Sequence, residues 1–377
     1  MEKKNKTLNV PHLRFPEFSG EWDHICLSDI ADIVGGGTPD TSVVEYWGGN
    51  IQWFTPSEIG KEKYARLSER TITEAGIKNS SAKLLPQGTI LLSSRATIGE
   101  CSIARQECTT NQGFQSLIAE TDKVTSEFLY YLVPTIKKEM LRRSCGSTFL
   151  EISANELRKI YVFRPSLIEQ NKLAEFMSLL DLRIETQKKI IEKLESFIKG
   201  LCQKLFNFDE YSTYFLGDIC SITTGKLDAN AMVENGKYPF FTCAEEVFGI
   251  GEYAFDTEAL LISGNGANLG YIHYYNGKFN AYQRTYVLDK FAIDINYVRL
   301  YLETFLKYRI EQEKNTGNTP YIVLGTLSKM KIKVPNTITQ QNIILSLVFL
   351  KEKLSIEKQS LKKYKEQKRY LLSNLFI

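Results

Sequence analysis

Few residues in this 377-residue chain have the types and spacing that chemistry asks for. Pro39-Asp40, within "GGGTPDTS", could open a metal-dependent nuclease site, which needs a further acid with a lysine two positions on. Glu45, Glu58, Glu62, Glu69 and Glu74 follow, and none has that lysine. The same stretch is rich in glycine but lacks the G-K-[ST] ending with which a phosphate loop holds its nucleotide. A turn is its first reading and a ligand-facing loop its second. No N-P-P-F or D-P-P-Y run occurs, the motif with which an amino-methyltransferase holds its target base. His12, His24 and His273 are scattered, and the seven cysteines include no C-x-x-C pair, so neither a metal cluster nor a Cys/His nucleophile is expected. An odd cysteine count without a framework fits reduced thiols. These residues argue against catalysis by the chain itself.

Composition bounds the rest. With 43% hydrophobic and 12% aromatic residues the chain can fill two ordinary cores, and disorder is excluded as its main state. Lys+Arg exceed Asp+Glu by 47 − 44 = +3, short of the strongly basic balance of a protein that grips nucleic acid unaided. The longest apolar run, "IILSLVFL", is too short for a bilayer. The stretch "EKKNKTLNVPHLRFPEF" after Met1 has no apolar core of a signal peptide. A cytoplasmic location with no membrane contact is expected.

The elements that must position any site are two long helices. In "IEQNKLAEFMSLLDLRIETQKKIIEKLESFIKGLCQKLF", Leu173, Met177, Leu180, Ile184, Ile191, Leu194, Ile198, Leu201 and Leu205 follow steps of four and three, with Gln187 in the one gap. That is a heptad seam. Adding 170 to each position gives Ile343, Leu347, Leu350, Leu354, Glu357, Leu361, Tyr364, Lys368, Leu371 and Leu375, a second seam in the same register. Pro165 and Pro335 precede the two helices as start signals. The C-terminal helix is also basic: Lys351, Lys353, Lys358, Lys362, Lys363, Lys365, Lys368 and Arg369 face only Glu352, Glu357 and Glu366. A solvated coiled-coil face and a phosphate-binding strip are both open readings.

The repeat extends into the sequence before each helix. "LSDIADIVGGG" at Leu27 corresponds to "LGDICSITTGK" at Leu216, and "ILLSSRATIGECSIA" at Ile90 to "LLISGNGANLGYIHY" at Leu260, each a buried strand, a polar turn and a second strand. Gln112 then meets Gln283, Gly146 and Thr148 meet Gly317 and Thr319, and "ELRKIYVFRP" meets "TLSKMKIKVP". The order is domain, helix, domain, helix, with expected boundaries 1–164, 165–207, 208–334 and 335–377. Because the second helix has only a rod of equal length along which to travel, it must run back antiparallel to the first. The expected fold is α+β, with two β-rich domains on two long antiparallel coiled-coil helices in a pseudo-two-fold repeat. From Leu173 to Leu205 the seam covers 33 positions, roughly 50 Å at about 1.5 Å each.

The opening "LRFPEFSGEW", the run from "GGTP" through "YWGGNIQW", and the domain-helix-domain-helix duplication resemble the specificity subunits of Type I restriction-modification systems over nearly the whole chain. That resemblance implies a non-catalytic protein whose two globular domains are target recognition domains, each reading one half of a split DNA sequence, with the helices setting the spacing. It implies double-stranded DNA as ligand, two modification subunits that carry S-adenosylmethionine, and restriction subunits that use ATP and magnesium. No cofactor is expected on this chain.

Under that reading the candidate contacts follow from groove chemistry, since arginine pairs bidentately with guanine and asparagine or glutamine with adenine. In the first domain they are Thr38, Arg95, Asn111 and Gln112, and in the second Lys226, Asn265, Asn268, Gln283 and Arg284, all in turns between strands. Asn and Gly also serve such turns by backbone geometry alone, and Gln112 and Gln283, kept in both halves, have maintenance of the fold or contact with the backbone as their alternatives. Trp47, Trp53, Tyr271, Tyr274 and Tyr275 have base stacking and core packing as their alternatives. Because the halves differ outside their framework, two different half-sites are expected. The other class of function that fits is a coiled-coil scaffold whose domains bind protein or glycan.

Overall fold

The computed structural model describes residues 9–146, 150–313 and 321–377. Of the repeated segments, Thr148, Gly317 and Thr319 lie outside the described residues. The chain divides into two compact units, Met1–Gln187 with Ser360–Ile377, and Lys188–Gln359. Each unit takes a β-rich part together with part of both long helices.

In the first unit the chain order is β1 (Asp23–Cys26), β2 (Ala31–Gly35), β3 (Trp47–Phe54), β4 (Arg70–Ile72), α1 (Glu74–Lys78), β5 (Ile90–Leu92), β6 (Cys101–Ile103), β7 (Cys108–Thr110), β8 (Gln115–Ala119), α2 (Ser126–Leu132), α3 (Lys137–Arg143), α4 (Ala154–Arg158) and β9 (Tyr161–Arg164), followed by the long α5 (Leu167–Leu205). The strands form sheets in the orders β2-β8-β5-β6 and β4-β3-β7, and β1 pairs with β9. In the second unit come β10 (Ser212–Phe215), α6 (Leu216–Ile219), β11 (Ser221–Thr224), β12 (Tyr238–Phe241), β13 (Phe248–Ile250), β14 (Phe255–Ser263), β15 (Ile272–Ala281), β16 (Thr285–Asp289), α7 (Ile295–Gln312), α8 (Leu324–Ser328) and β17 (Lys331–Val334), then α9 (Thr337–Leu375). There β11-β16-β14-β15-β12-β13 form one sheet and β10 pairs with β17.

The two units are built on the same framework bonds. The Leu27 amide donates to the Ile160 carbonyl as Leu216 does to Met330, and Asn111 donates to Phe54 as Tyr282 does to Phe241. β1 pairs antiparallel with β9 as β10 does with β17, which delivers the chain to each long helix in the same way. Where each long helix begins, a buried glutamine amide caps the proline carbonyl: Gln170 Nε2 to Pro165 O at 3.0 Å, and Gln340 Nε2 to Pro335 O at 2.9 Å. From Leu27 to Ile90 the first domain has 63 positions and from Leu216 to Leu260 the second has 44. Most of the 19 additional residues fall after β3, whose end Phe54 matches Phe241 of β12, and they build the excursion of β4 and α1.

The long helices pack together along the predicted seam. Leu173, Met177, Leu180, Ile184, Ile191, Ile198, Ile343, Leu347 and Leu375 are buried, while Leu194, Leu201, Leu205, Leu350, Leu354, Leu361, Tyr364, Lys368 and Leu371 are half-buried. Gln187 in the gap is buried and Glu357 half-buried. Within the first unit Arg183 donates to Tyr364 Oη at 2.7 Å and Lys368 pairs with Asp181; within the second, Lys358 meets Glu195 at 2.6 Å. Position rises along one helix as it falls along the other, so the pair is antiparallel. Each unit has an aromatic contact at the repeat-related place, Phe376 stacked on Phe128 at 5.4 Å and, 170 residues earlier, Phe206 edge to face with Tyr297 at 5.9 Å.

The first unit has one further clasp. Arg14 donates twice to Glu169 at the start of α5, both at 2.8 Å, and the Trp22 indole adds a third donor at 3.3 Å. Glu169 is 3% exposed, and this bidentate pairing is what permits a carboxylate at that depth. The Leu13 amide also donates to the Asn374 carbonyl, so the segment before β1 is held by both long helices.

Candidate nucleic-acid interface

The predicted contacts of the first domain converge on one cluster of turns. Gly36, just after β2, runs so close to the end of β7 that a Cβ would sit 2.0 Å from the Asn111 carbonyl. Only glycine allows that approach, and it carries Thr38 to Gln112, whose side-chain carbonyl accepts the threonine hydroxyl. Asn111 turns its own side chain back, accepting the Gly113 amide at 2.8 Å. Arg95 enters from the turn after β5. Its neighbour Ala96 has φ of 62°, the left-handed conformation that a non-glycine residue seldom adopts. A Cβ on Gly113 would come 3.3 Å from Arg95 Nε, so the guanidinium stem lies against the same turn. Gln112 is exposed and Thr38, Arg95 and Asn111 are half-buried.

Tryptophans set this loop. The buried Trp53 indole donates to the Gly37 carbonyl at 2.9 Å and Trp47 to the Asp40 carbonyl at 3.0 Å. The rings meet edge to face at 5.1 Å, and the Arg70 guanidinium lies 3.6 Å over Trp47. Asp40, the former metal-ligand candidate, accepts the Ser42 amide and hydroxyl, and those bonds hold its carboxyl below the usual range. Its role is a turn.

The second domain repeats the scaffold with different side chains. Gly225 would place a Cβ 1.9 Å from the Ala281 carbonyl, the counterpart of Gly36. Beyond it Lys226 is exposed, and the Leu227 carbonyl accepts the Gln283 amide. The Gly264 amide donates to the Arg284 carbonyl as Ser94 donates to Gly113, and Ile322 donates to Gly264 as Ile152 does to Ser94. Gly266, with φ of 81°, stands where the first domain has Ala96. Asn265 takes the place of Arg95, and Asn268 is spent on structure, donating to the Cys243 carbonyl at 3.2 Å. Gln283 and Arg284 are exposed. The glutamines differ in use: Gln112 holds Thr38 through its side chain, whereas Gln283 holds Leu227 through its backbone.

The aromatic candidates divide. Trp53 and Trp47 pack and brace the loop, and Tyr275 packs on Phe241. Tyr271 and Tyr274 are 38% and 39% exposed, and Tyr274 donates to Glu258. Sequence reasoning missed Arg70, whose partners Trp47 and Trp53 were visible but not their shared face.

Among the described residues the arrangement offers no reacting centre. Among the described residues no group of three or more His, Cys, Asp or Glu side chains could hold a metal. Burial pushes the Cys101, Cys108 and Cys220 thiols up to about 12, the reverse of an activated nucleophile. Among the described residues no helix is long and apolar enough to cross a membrane. On the long helices Lys351, Lys358 and Lys368 are engaged by Glu303, Glu195 and Asp181, so three cations of the basic strip are already paired. The helices also leave large apolar side chains in solvent at repeat-related positions, Ile168 with Ile338 and Leu179 with Phe349.

This architecture has known relatives. The sequence profile of the Type I restriction modification DNA specificity domain matches twice, over residues 19–196 and 209–366. The chain belongs to the Type I restriction-modification specificity subunits. It is 31% identical over 361 residues to the MjaIX specificity subunit of Methanocaldococcus jannaschii, covering 84% of this chain and 83% of that one. It is 41% identical over 135 residues, 36% of this chain and 30% of the other, to the EcoDI specificity subunit of Escherichia coli. The fold matches the crystal structure of the M. genitalium Type I S subunit with a TM-score of 0.67 at 19% identity, over 98% of this chain and 99% of that chain. A specificity subunit recognises the DNA target for its complex and is itself non-catalytic. Family membership implies modification and restriction subunits as its partners.

Proposed function

We propose that this specificity subunit reads a split, asymmetric target in double-stranded DNA and directs adenine methylation and restriction by its partners to that target. Residues 1–164 and 208–334 serve as the two recognition domains, and residues 165–207 and 335–377 as the spacer helices between them. The observation that carries this reading is the repeated turn scaffold filled with different side chains. Gly36 and Gly225 make the same close approach, yet Thr38, Arg95 and Gln112 decorate one copy, and Lys226, Asn265, Gln283 and Arg284 the other, with Asn111 and Asn268 engaged by backbone groups. Arginine, asparagine and glutamine on rigid turns suit major-groove readout, and unlike sets suit unlike half-sites.

The helices fit a double docking role. Ile168 and Leu179 on α5 recur as Ile338 and Phe349 on α9, all exposed, which favours two equivalent seats for two modification subunits. S-adenosylmethionine belongs to those subunits, ATP and magnesium to the restriction subunits, and the complex works in the cytoplasm. Extruding the target adenine from the duplex falls to the modification subunit.

Sequencing of modified adenines in the host, with and without this gene, tests the proposal. Loss of methylation at one bipartite motif with two different halves is the expected result. An unchanged methylation pattern while the gene is expressed would refute it and favour a scaffold.

A further inference from the structure

The one cation in the helix seam has a specific partner. Lys368 sits where its helix should be apolar, and it pairs with Asp181 of α5, which also accepts the Tyr131 hydroxyl at 2.8 Å. Tyr131 is 1% exposed, and the side chains of Asp181 and Lys368 are only 22% and 25% exposed. A half-buried pair of this kind loses much more when one partner is missing than an exposed pair does.

The repeat offset of 170 shows what stands at the equivalent place in the second unit. Asp181 becomes Lys351 and Lys368 becomes Ile198. Ile198 is buried in the apolar core of that unit, and Lys351 turns aside to Glu303 of α7. One end of the pseudo-symmetric pair therefore carries an acid and a base, the other a base and an isoleucine.

This difference decides which helices can pair. If α9 of one copy took the place of α5 against α9 of another, Lys368 would face Lys351 of the second copy, and the clash would occur twice by symmetry. If α5 paired with α5, Asp181 would face Ile198 twice, each acid left without its cation. The exposed Glu195–Lys358 pair carries little in either arrangement. The geometry points to the Asp181–Lys368 pair, with Lys351 at its repeat position, as a pairing code. It joins the two unlike helices and rejects like-with-like pairing between two copies. A single polar residue in a coiled-coil seam commonly fixes partner choice at some cost in stability.

The test uses the full chain. D181K/K368D keeps an opposite-charge pair there, at the cost of the acceptor that Asp181 gives the Tyr131 hydroxyl, and turns the Lys368–Lys351 clash into two attractive contacts. K351D does the same from the other side, with K351N as its neutral isostere. Light scattering across a concentration series, on an equal mixture of 14N- and 15N-labelled chains, reads dimer formation. Cross-links between light and heavy peptides read which helices meet. The expected result is a dimer dissociation constant for D181K/K368D and K351D about tenfold below that of wild type and K351N, weakening with salt. Its light-heavy cross-links join α9 to α9. Either variant that keeps its near-ultraviolet circular dichroism decides the matter. Monomers indistinguishable from wild type, or dimers whose light-heavy links join α5 of one copy to α9 of the other, would overturn the proposal.

Discussion

Replacing Trp53 with phenylalanine tests whether the loop that presents Thr38 is held from beneath. Trp53 is 5% exposed, and its indole donates to the carbonyl of the buried Gly37 at 2.9 Å. Phenylalanine keeps most of the apolar contact but leaves that carbonyl unpaired, which costs about 1–3 kcal/mol. The smaller ring loses part of the edge contact with Trp47, roughly another 1 kcal/mol. The unit spans 187 + 18 = 205 residues, a size at which 1 kcal/mol moves the melting temperature by about 2–4 °C, so a fall of roughly 5–10 °C is expected. Trp47→Phe is the internal control: it loses part of the same edge contact, but its bond to Asp40 lies at an exposed turn, and loss of that bond should cost under about 1 kcal/mol. Calorimetry measures both, and competition binding with each half-site randomised in turn should show W53F losing discrimination at one half only. If W53F were no less stable than W47F, or blurred both half-sites equally, the bracing argument would fail.

The clasp of Arg14, Trp22 and Glu169 should be the most sensitive ionic site of the first unit: Glu169→Gln is expected to lower unfolding stability by about 2–4 kcal/mol in urea titrations. A change below about 0.5 kcal/mol would show that the pair is replaceable by water. Arg142 and Arg143 hold the Glu139 carboxyl down to about 2 from its ordinary 4.5. A carboxyl depressed in the folded state stabilises above its unfolded pKa and loses that contribution as pH falls from about 4.5 through about 2. Urea midpoints of wild type should therefore fall more steeply than those of E139Q across that window, and parallel curves would contradict the assignment. Inserting seven residues after Glu192 and seven after Lys362 keeps the heptad and adds roughly 10 Å to each helix, about three base pairs. The methylated motif should gain that much spacer with both halves unchanged, whereas an unaltered spacer would remove the helices from the ruler role.

The long helices were legible because one apolar stripe at alternating steps of four and three is a local signal, and the seam it names is the covered face. Lys368 is a cation where that stripe calls for an apolar residue. Its partner Asp181 is 187 residues away and lies outside the heptad stripe, so no periodicity within one helix could reveal the pair. The repeat located the turns at Gly36 and Gly225 because strand, turn and glycine recur in order. It did not disclose that Asn268 is consumed by the Cys243 carbonyl, a bond between two loops 25 residues apart. The packing of Arg70 over Trp47, beside Trp53, was hidden for another reason. The register of β3 against β4 shifts between Trp47 and Ile51, and such a bulge breaks the alternation from which faces are read. The parallel pairings of β3 with β7 and β12 with β15 also depend on crossovers that sequence order does not announce.

The central claim is that each β-rich domain reads its own half of the target. The most direct measurement is the methylation motif written in cells by the assembled complex carrying R95A/Q112A, compared with the complex carrying K226A/R284A. The account predicts that the first double variant relaxes base preference in one half of the motif, the second in the other half, and that the spacer is unchanged in both. Relaxation of the same half by both variants, or full retention of both halves, would contradict it.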